Sequence, residues 1–249
     1  MAYRKITTEE AEDIASRILY EDNHLLIFNK RAGEMTQGDK TGDEPLPETL
    51  KAYIAARDSK PGEVFLGVPH RLDRPVSGVV VFAKTSKALG RMTEAFRTSE
   101  VRKTYWALLT KRPAEESSTL ENWLVRNEKM NKSFVRKAPL DGPAPEGAKK
   151  ASLSYRILGS SERYHLVEID LHTGRHHQIR CQMASIGCPI KGDLKYGAPR
   201  SNKDGGICLH ARKICFTHPV RKEPLTVTAP LPSSWKAIAD CCHSQDIHP

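Results

Sequence analysis

The chain has 249 residues, 39% of them hydrophobic, a length that allows a substantial buried core without disulfides or metal. A formal net charge of +9 and a sequence pI of about 9.3 favour a polyanionic partner, although a lysine-rich soluble surface has the same composition. No apolar run is long enough to span a bilayer, and the polar start MAYRKITTEEAEDIAS lacks a secretory core, so a cytosolic protein without membrane attachment is expected.

A first helix is predicted from Thr7, with Glu10 completing a capping box and Ala11, Ile14, Ala15 and Ile18 forming its apolar stripe. His24 to Lys30 reads as a buried strand, followed by a polar loop from Arg31 to Glu44. Pro47 suits the first turn of a second helix in which Leu50, Tyr53 and Ile54 share a face. Pro69 and Pro75 bracket an irregular loop. Ser77 to Lys84 is rich in β-branched residues and predicts a strand. Thr85 caps the helix after it, with Leu89, Met92 and Phe96 inward. Val101 to Thr110 returns as a strand.

From Ser117 to Asp170 the pattern is mainly antiparallel strands: Thr119–Arg126, Lys132–Arg136, Ala151–Leu158 and Tyr164–Leu171, with a loop from Ala138 to Gly147. A helix is predicted from near Thr173, stopping at Gly187. Late strands cover Ile207–Thr217 and Leu225–Pro230, and a last helix runs from about Pro232 to Asp240. The six cysteines all lie in the last third of the chain, with no C-x-x-C pair, so reduced thiols are expected; adjacent Cys241 and Cys242 are open to adventitious oxidation. The fold class is α+β, a mixed, mainly antiparallel sheet flanked by helices and loops.

Three stretches carry candidate chemistry. In His70-Arg71-Leu72-Asp73-Arg74-Pro75-Val76-Ser77-Gly78 a carboxylate sits between two arginines on a proline-bracketed loop. Cations favour its charged form, and an ionised carboxylate on a rigid scaffold can act as nucleophile or base. On pattern alone, an aspartate that caps a turn and pairs with arginine is the more ordinary reading. Thr173-Gly174-Arg175-His176-His177-Gln178-Ile179-Arg180 puts cations and donors at a predicted helix start, a favourable place for phosphate. Its histidines, with His172, match no zinc spacing, so no metal is expected. In Lys103-Thr104-Tyr105-Trp106-Ala107, adjacent aromatics on a strand point to opposite faces, which leaves open whether one faces a cleft as a nucleobase platform or both are packed.

Taken together, these motifs resemble the RluA-type pseudouridine synthase family. HRLDRPVSGVVVFAK is similar to its catalytic signature, KTYWALL to its Lys-x-Tyr-x-Ala strand, HTGRHHQIRCQMASIGCPIKGDLKYG to its third motif, and ILYEDNHLLIFNKRAG to its opening motif. They occur in the family's order from about Ile18 to Gly197. The resemblance implies a pseudouridine synthase fold in a single catalytic domain over residues 1–249, with residues 1–17 as a helical extension and no separate S4-type module. It implies isomerisation of specific uridines in ribosomal or transfer RNA, without cofactor. Asp73 is then the essential carboxylate, Arg180 its ion-pair partner, and Tyr105 the ring that stacks on uracil. Arg71 is a candidate wedge for the vacated space, Arg74 a phosphate contact, and Arg175, His177, Gln178 and Ile179 further RNA- or base-binding positions. A monomer is expected. The opening motif departs from the family's usual Lys-Pro-x-Gly: here it is Lys30-Arg31-Ala32-Gly33, which alters a turn and adds a charge.

Two readings from other classes remain at this point. A non-catalytic RNA-binding protein has no need of Asp73. A hydrolase using Ser77, His70 and Asp73 needs these groups arranged in space, and no G-x-S-x-G elbow is present.

Overall fold

The computed structural model describes residues 3–38, 42–59 and 62–235. The chain divides into two compact units: Met1–Val101 with Lys213–Pro230, and Arg102–Arg212 with Leu231–Pro249. The architecture is α+β, with a mixed, mostly antiparallel sheet.

In the first unit, helix α1 (Thr8–Ser16) starts with the predicted capping box: Thr7 Oγ1 accepts from Glu10 N–H, and the Glu10 carboxylate accepts from Thr7 N–H. The expected apolar stripe runs one turn too far. Ile18 leaves the helix and opens a short strand, β1 (Ile18–Glu21), because Asn29 N–H takes the Arg17 carbonyl at 2.9 Å and pulls the chain into sheet pairing. Strand β2 (Leu25–Lys30) lies between β1 and β3 (Ser77–Ala83), antiparallel to both. Every residue of β3 is buried, as its β-branched run suggested. Helix α2 (Leu46–Arg57) buries Leu50, Tyr53 and Ile54. Helix α3 (Ser86–Arg97) is capped by Thr85, whose hydroxyl accepts from Ala88 N–H. It packs Ala88 and Met92 fully, and Leu89 and Phe96 partly, against Leu25, Ile27, Val79 and Val81.

In the second unit the strand order is β4 (Arg102–Leu109), β8 (His165–Leu171), β7 (Ala148–Ser160), β5 (Ser117–Asn127) and β6 (Lys132–Arg136), antiparallel throughout. Helix α4 (Gln178–Ser185) lies on this sheet, joining Cys181 to Leu124, Ala151 and Tyr196 in a small core. Its start corrects the sequence expectation. Thr173 to His177 form a turn, and the helix begins at Gln178 behind His177, which has a left-handed φ of 52°.

Strand β9 (Leu209–Thr217) carries residues of both units, and β10 (Pro224–Thr228) pairs with its Lys213–Thr217 end. Of the expected last helix, Ser233–Trp235 form a 3-10 turn; residues 236–240, like Cys241 and Cys242, lie outside the described residues. The other four cysteines are free thiols.

Candidate active site

Asp73 sits where the chain turns into β3, and the turn is held by main-chain contacts. Val76 N–H bonds the Asp73 carbonyl at 3.0 Å, and Gly33 N–H bonds the Arg74 carbonyl at 2.8 Å. Below the turn lies Lys30, only 1% exposed. Its ammonium donates to the carbonyls of Arg31 (2.9 Å), Arg74 (3.1 Å) and Val76 (2.6 Å). A buried cation is tolerated only when its donors are all used, and here two go to the backbone of the Asp73 turn and one to the opening motif. Burial lowers the Lys30 pKa to about 8, against the opposing pull of Glu34 and Asp73. Leu72 is buried beside a half-buried Asp73, whereas Arg71 and Arg74 are exposed. Arg71 reaches Gln37 at 2.7 Å, and Arg74 reaches Asp43 at 2.7 Å and the Gly33 carbonyl at 3.1 Å.

Arg31 extends this support. Its N–H bonds the Glu34 carboxylate at 2.7 Å, a bond that a proline at this position has no hydrogen to make. Its guanidinium pairs with Asp13 on α1 at 2.5 Å. Arg17 pairs with both Asp13 (2.9 Å) and Glu34 (2.7 Å), which closes a ring of four charged side chains between α1 and the opening motif. Burial raises the Asp13 pKa, but Arg31 and Arg17 outweigh it and hold the carboxyl below its ordinary range.

His70 and Ser77 do not form a nucleophile–base pair through Nε2 of the ring. That nitrogen accepts Val81 N–H at 2.9 Å, and the imidazole stacks on Phe96 at 4.2 Å.

The second unit assembles the third motif. Arg180 is 5% exposed, and its Nε and Nη2 grip the fully buried Asp193 at 2.7 and 2.9 Å. Its guanidinium also lies 5.1 Å from the centre of the Tyr196 ring. The Tyr196 hydroxyl accepts Ser133 N–H at 2.8 Å and contacts His177 Nδ1 at 3.1 Å. Burial pushes the Tyr196 pKa up to about 12. Burial first, and then Arg180, push His177 down to about 2, so its imidazole is neutral.

The rest of the motif is a braced turn. Gln178 is 3% exposed; its Oε1 accepts from Thr173 Oγ1 (2.8 Å) and Arg175 N–H (3.0 Å), and its Nε2 donates to the Ser152 carbonyl and Gln182. Ile179 is buried, and Arg175 is exposed with its Nε on the Lys150 carbonyl. His172 and His176 bond Ser154, Ser133 and Asn131. Among the described residues, no three His, Cys, Asp or Glu side chains are placed to share a metal ion. On β4 both aromatics are largely covered, Tyr105 at 8% and Trp106 at 7% exposure. Trp106 donates to Glu168 at 3.0 Å and lies under Arg212, on the face opposite Tyr105.

Lys30 and Asp193 were not singled out from sequence. The signal for Lys30 is a lysine closing an apolar strand. The signal for Asp193 is an arginine within the buried run Gln178–Met183 of α4, which requires a carboxylate partner somewhere in the chain.

The family model for RNA pseudouridylate synthase matches residues 24–185. The chain is 33% identical to tRNA pseudouridine synthase C of Haemophilus ducreyi over 89% of its own length and 93% of that protein. It is 32% identical to ribosomal large subunit pseudouridine synthase C of Vibrio parahaemolyticus, covering 91% and 69% of the two chains. The solved structure of human RNA pseudouridylate synthase domain containing 4 superposes with a TM-score of 0.76 at 26% identity, over 90% of this chain and 92% of that one. With a match over more than half of its residues, the chain belongs to the RNA pseudouridylate synthase family and is a pseudouridine synthase of the RluA type.

Proposed function

We propose that this enzyme isomerises specific uridines in ribosomal or transfer RNA, with the Asp73 carboxylate as its chemical group and with the target base flipped out of its stack. The observation that carries the proposal is the Asp73 turn. A buried ammonium holds its backbone at the Arg74 and Val76 carbonyls, while Asp73 is half-buried between exposed Arg71 and Arg74. A reacting group needs this combination of a fixed backbone and an approachable side chain.

The reaction breaks the bond between uracil N1 and the ribose, turns the base, joins C5 to C1′, loses the proton from C5 and gains one on N1. Atoms and electrons balance without an oxidant or reductant, which agrees with the cofactor-free reading. Asp73 attacks the sugar or base, or removes a proton from the ribose. Arg180, whose guanidinium plane is fixed by Asp193, is the arginine that the resemblance assigns to the Asp73 carboxylate. Tyr105 stacks on the uracil and assists loss of the C5 proton.

Extracting a stacked uridine costs roughly a few kcal/mol. In this reading Arg71 fills the vacated space, and Arg74 and Arg175 hold phosphates. Lys103 supports the phosphate assignment: burial and neighbouring Arg175 both hold its pKa below the ordinary range, and an anion between these cations relieves the repulsion. His177, Gln178 and Ile179 set the shape of the turn beneath Arg175 and Arg180. A net charge of +9 suits the polyanionic substrate. We take the enzyme to act as a cytosolic monomer.

Mapping pseudouridines in total RNA from cells with and without the gene tests the proposal. One or more sites in ribosomal or transfer RNA should vanish, and return with the wild-type gene but not with Asp73→Asn. An unchanged map, or rescue by Asp73→Asn, contradicts it.

A further inference from the structure

The hairpin of β5 and β6 lies outside the machinery assigned above, and its surface is unusual. Among the described residues five large apolar side chains stand exposed; three of them, Met130 (57%), Phe134 (39%) and Leu194 (58%), sit on this hairpin or on the turn bonded to its tip. Cations lie between them. The segment from Arg126 to Arg136 holds Arg126, Lys129, Lys132 and Arg136 against a single acid, Glu128. Along β6, Lys132, Phe134 and Arg136 share one face, because strand side chains alternate, while Ser133 and Val135 turn inward. The Lys132 ammonium lies 5.5 Å from the centre of the Phe134 ring. Beyond Arg136 a recess is lined by Lys137, Pro145, Glu146 and Gly147.

This surface is fastened to the third motif. Lys195 Nζ donates to the Asn131 carbonyl at 3.1 Å, and Asn131 Oδ1 contacts His176 Nε2 at 3.1 Å. Ser133 N–H bonds the Tyr196 hydroxyl, on the ring that Arg180 also covers. Whatever docks on the hairpin is therefore held in fixed relation to Arg180.

We propose that this face is a docking surface for unpaired RNA flanking the target uridine, with Phe134 as a stacking platform and Lys132, Arg136 and Lys195 as phosphate contacts. The inference rests on the reading of the enzyme as RNA-directed and deepens it by naming the part of the substrate that this face receives. An isolated exposed Phe or Met is ordinary. An aromatic spaced between cations along one strand is the arrangement that takes bases by their faces and the backbone by its charge. A protein partner fits less well, since interface cores are depleted in lysine.

The test is binding of a fluorescein-labelled oligouridylate of about 16 nucleotides, the upper range for a single-strand platform. Phe134→Ala should weaken binding about 5- to 100-fold, and Phe134→Trp should retain it. The double variant Lys132→Ala/Arg136→Ala should flatten the dependence of log affinity on log salt by about 1.4, or 0.7 for each lost phosphate contact. Thermal melting checks the fold; if Phe134→Ala does not fold, Phe134→Leu, which keeps the apolar bulk without the aromatic face, carries the same prediction. In the wild type, 4-thiouridine RNA should photo-crosslink to the peptide that contains Phe134. Affinity within twofold of wild type in the folded Phe134 variant, or crosslinks mapping only outside residues 126–136 and 194–195, would overturn the proposal in favour of a protein-facing or purely solvated surface. Asp73→Asn separates the two readings. It should bind the probe as tightly as wild type, so a failed catalytic assignment appears in tritium release and leaves the binding result standing.

Discussion

Asp73 and Arg180 are both expected to act on the same uridine, yet the protein holds them by opposite means. Asp73 is half-buried on a turn whose backbone is fixed from below by the Lys30 ammonium. Arg180 is buried, and its own side chain is fixed, forked on Asp193 and covered by Tyr196. In the first region the turn is held through its main chain; in the second the Arg180 side chain is itself held by Asp193. Substitutions of Asp73 should therefore report on chemistry with little loss of stability. Substitutions around Arg180 should disturb folding and activity together.

The largest expected effect on stability tests the second half of that contrast. Asp193→Ala leaves a buried guanidinium without its forked partner and should cost about 3–5 kcal/mol in urea unfolding. A loss below about 1 kcal/mol would show that Arg180 is not anchored through this pair.

Lys30→Met tests the first half. Loss of the ammonium slackens the turn, so kcat should fall about 10- to 100-fold. The stability comparison carries a pH signature. The folded pKa of about 8 lies below the ordinary 10.5, so between these values the unfolded chain holds a proton that the folded chain has released. Wild-type stability therefore rises with pH across that window relative to Lys30→Met, by ~1.4 kcal/mol per pH unit. A difference that stays flat from pH 8 to 10.5 would mean that Lys30 is not buried as described.

The smallest effect belongs to Arg31→Ala. Its pair with Asp13 is largely solvent-exposed, so melting should register less than about 1 kcal/mol, shrinking further in high salt. A loss of several kcal/mol would make the four-member ring a principal support of the opening motif rather than a minor one.

What was legible in the sequence follows the same division. Strands β3 and β4 and the caps of α1 and α3 rest on local chemistry: β-branched runs, a Thr with Glu three residues on, and a Thr before a helix. The start of α4 was misplaced because Thr173 looks like a cap, whereas its hydroxyl bonds the Gln178 side chain and closes a turn before the helix begins. Ile18 was assigned to the wrong element because its spacing fits the helix, while the strand that claims its neighbour lies farther along the chain. The roles of Asp73, Tyr105 and Arg180 are those the resemblance implies. Their supports, Lys30 and Asp193, act across 46 and 13 residues, and no local periodicity marks such pairings.

The central claim is that residue 73 supplies the reacting carboxylate. Wild type and Asp73→Asn, each with its melting curve, are incubated with substrate RNA carrying tritium at C5 of uridine. The account predicts equal melting temperatures within a few degrees and a loss of tritium release of at least about 10³-fold in the variant. A folded Asp73→Asn enzyme that releases tritium at the wild-type rate would contradict it.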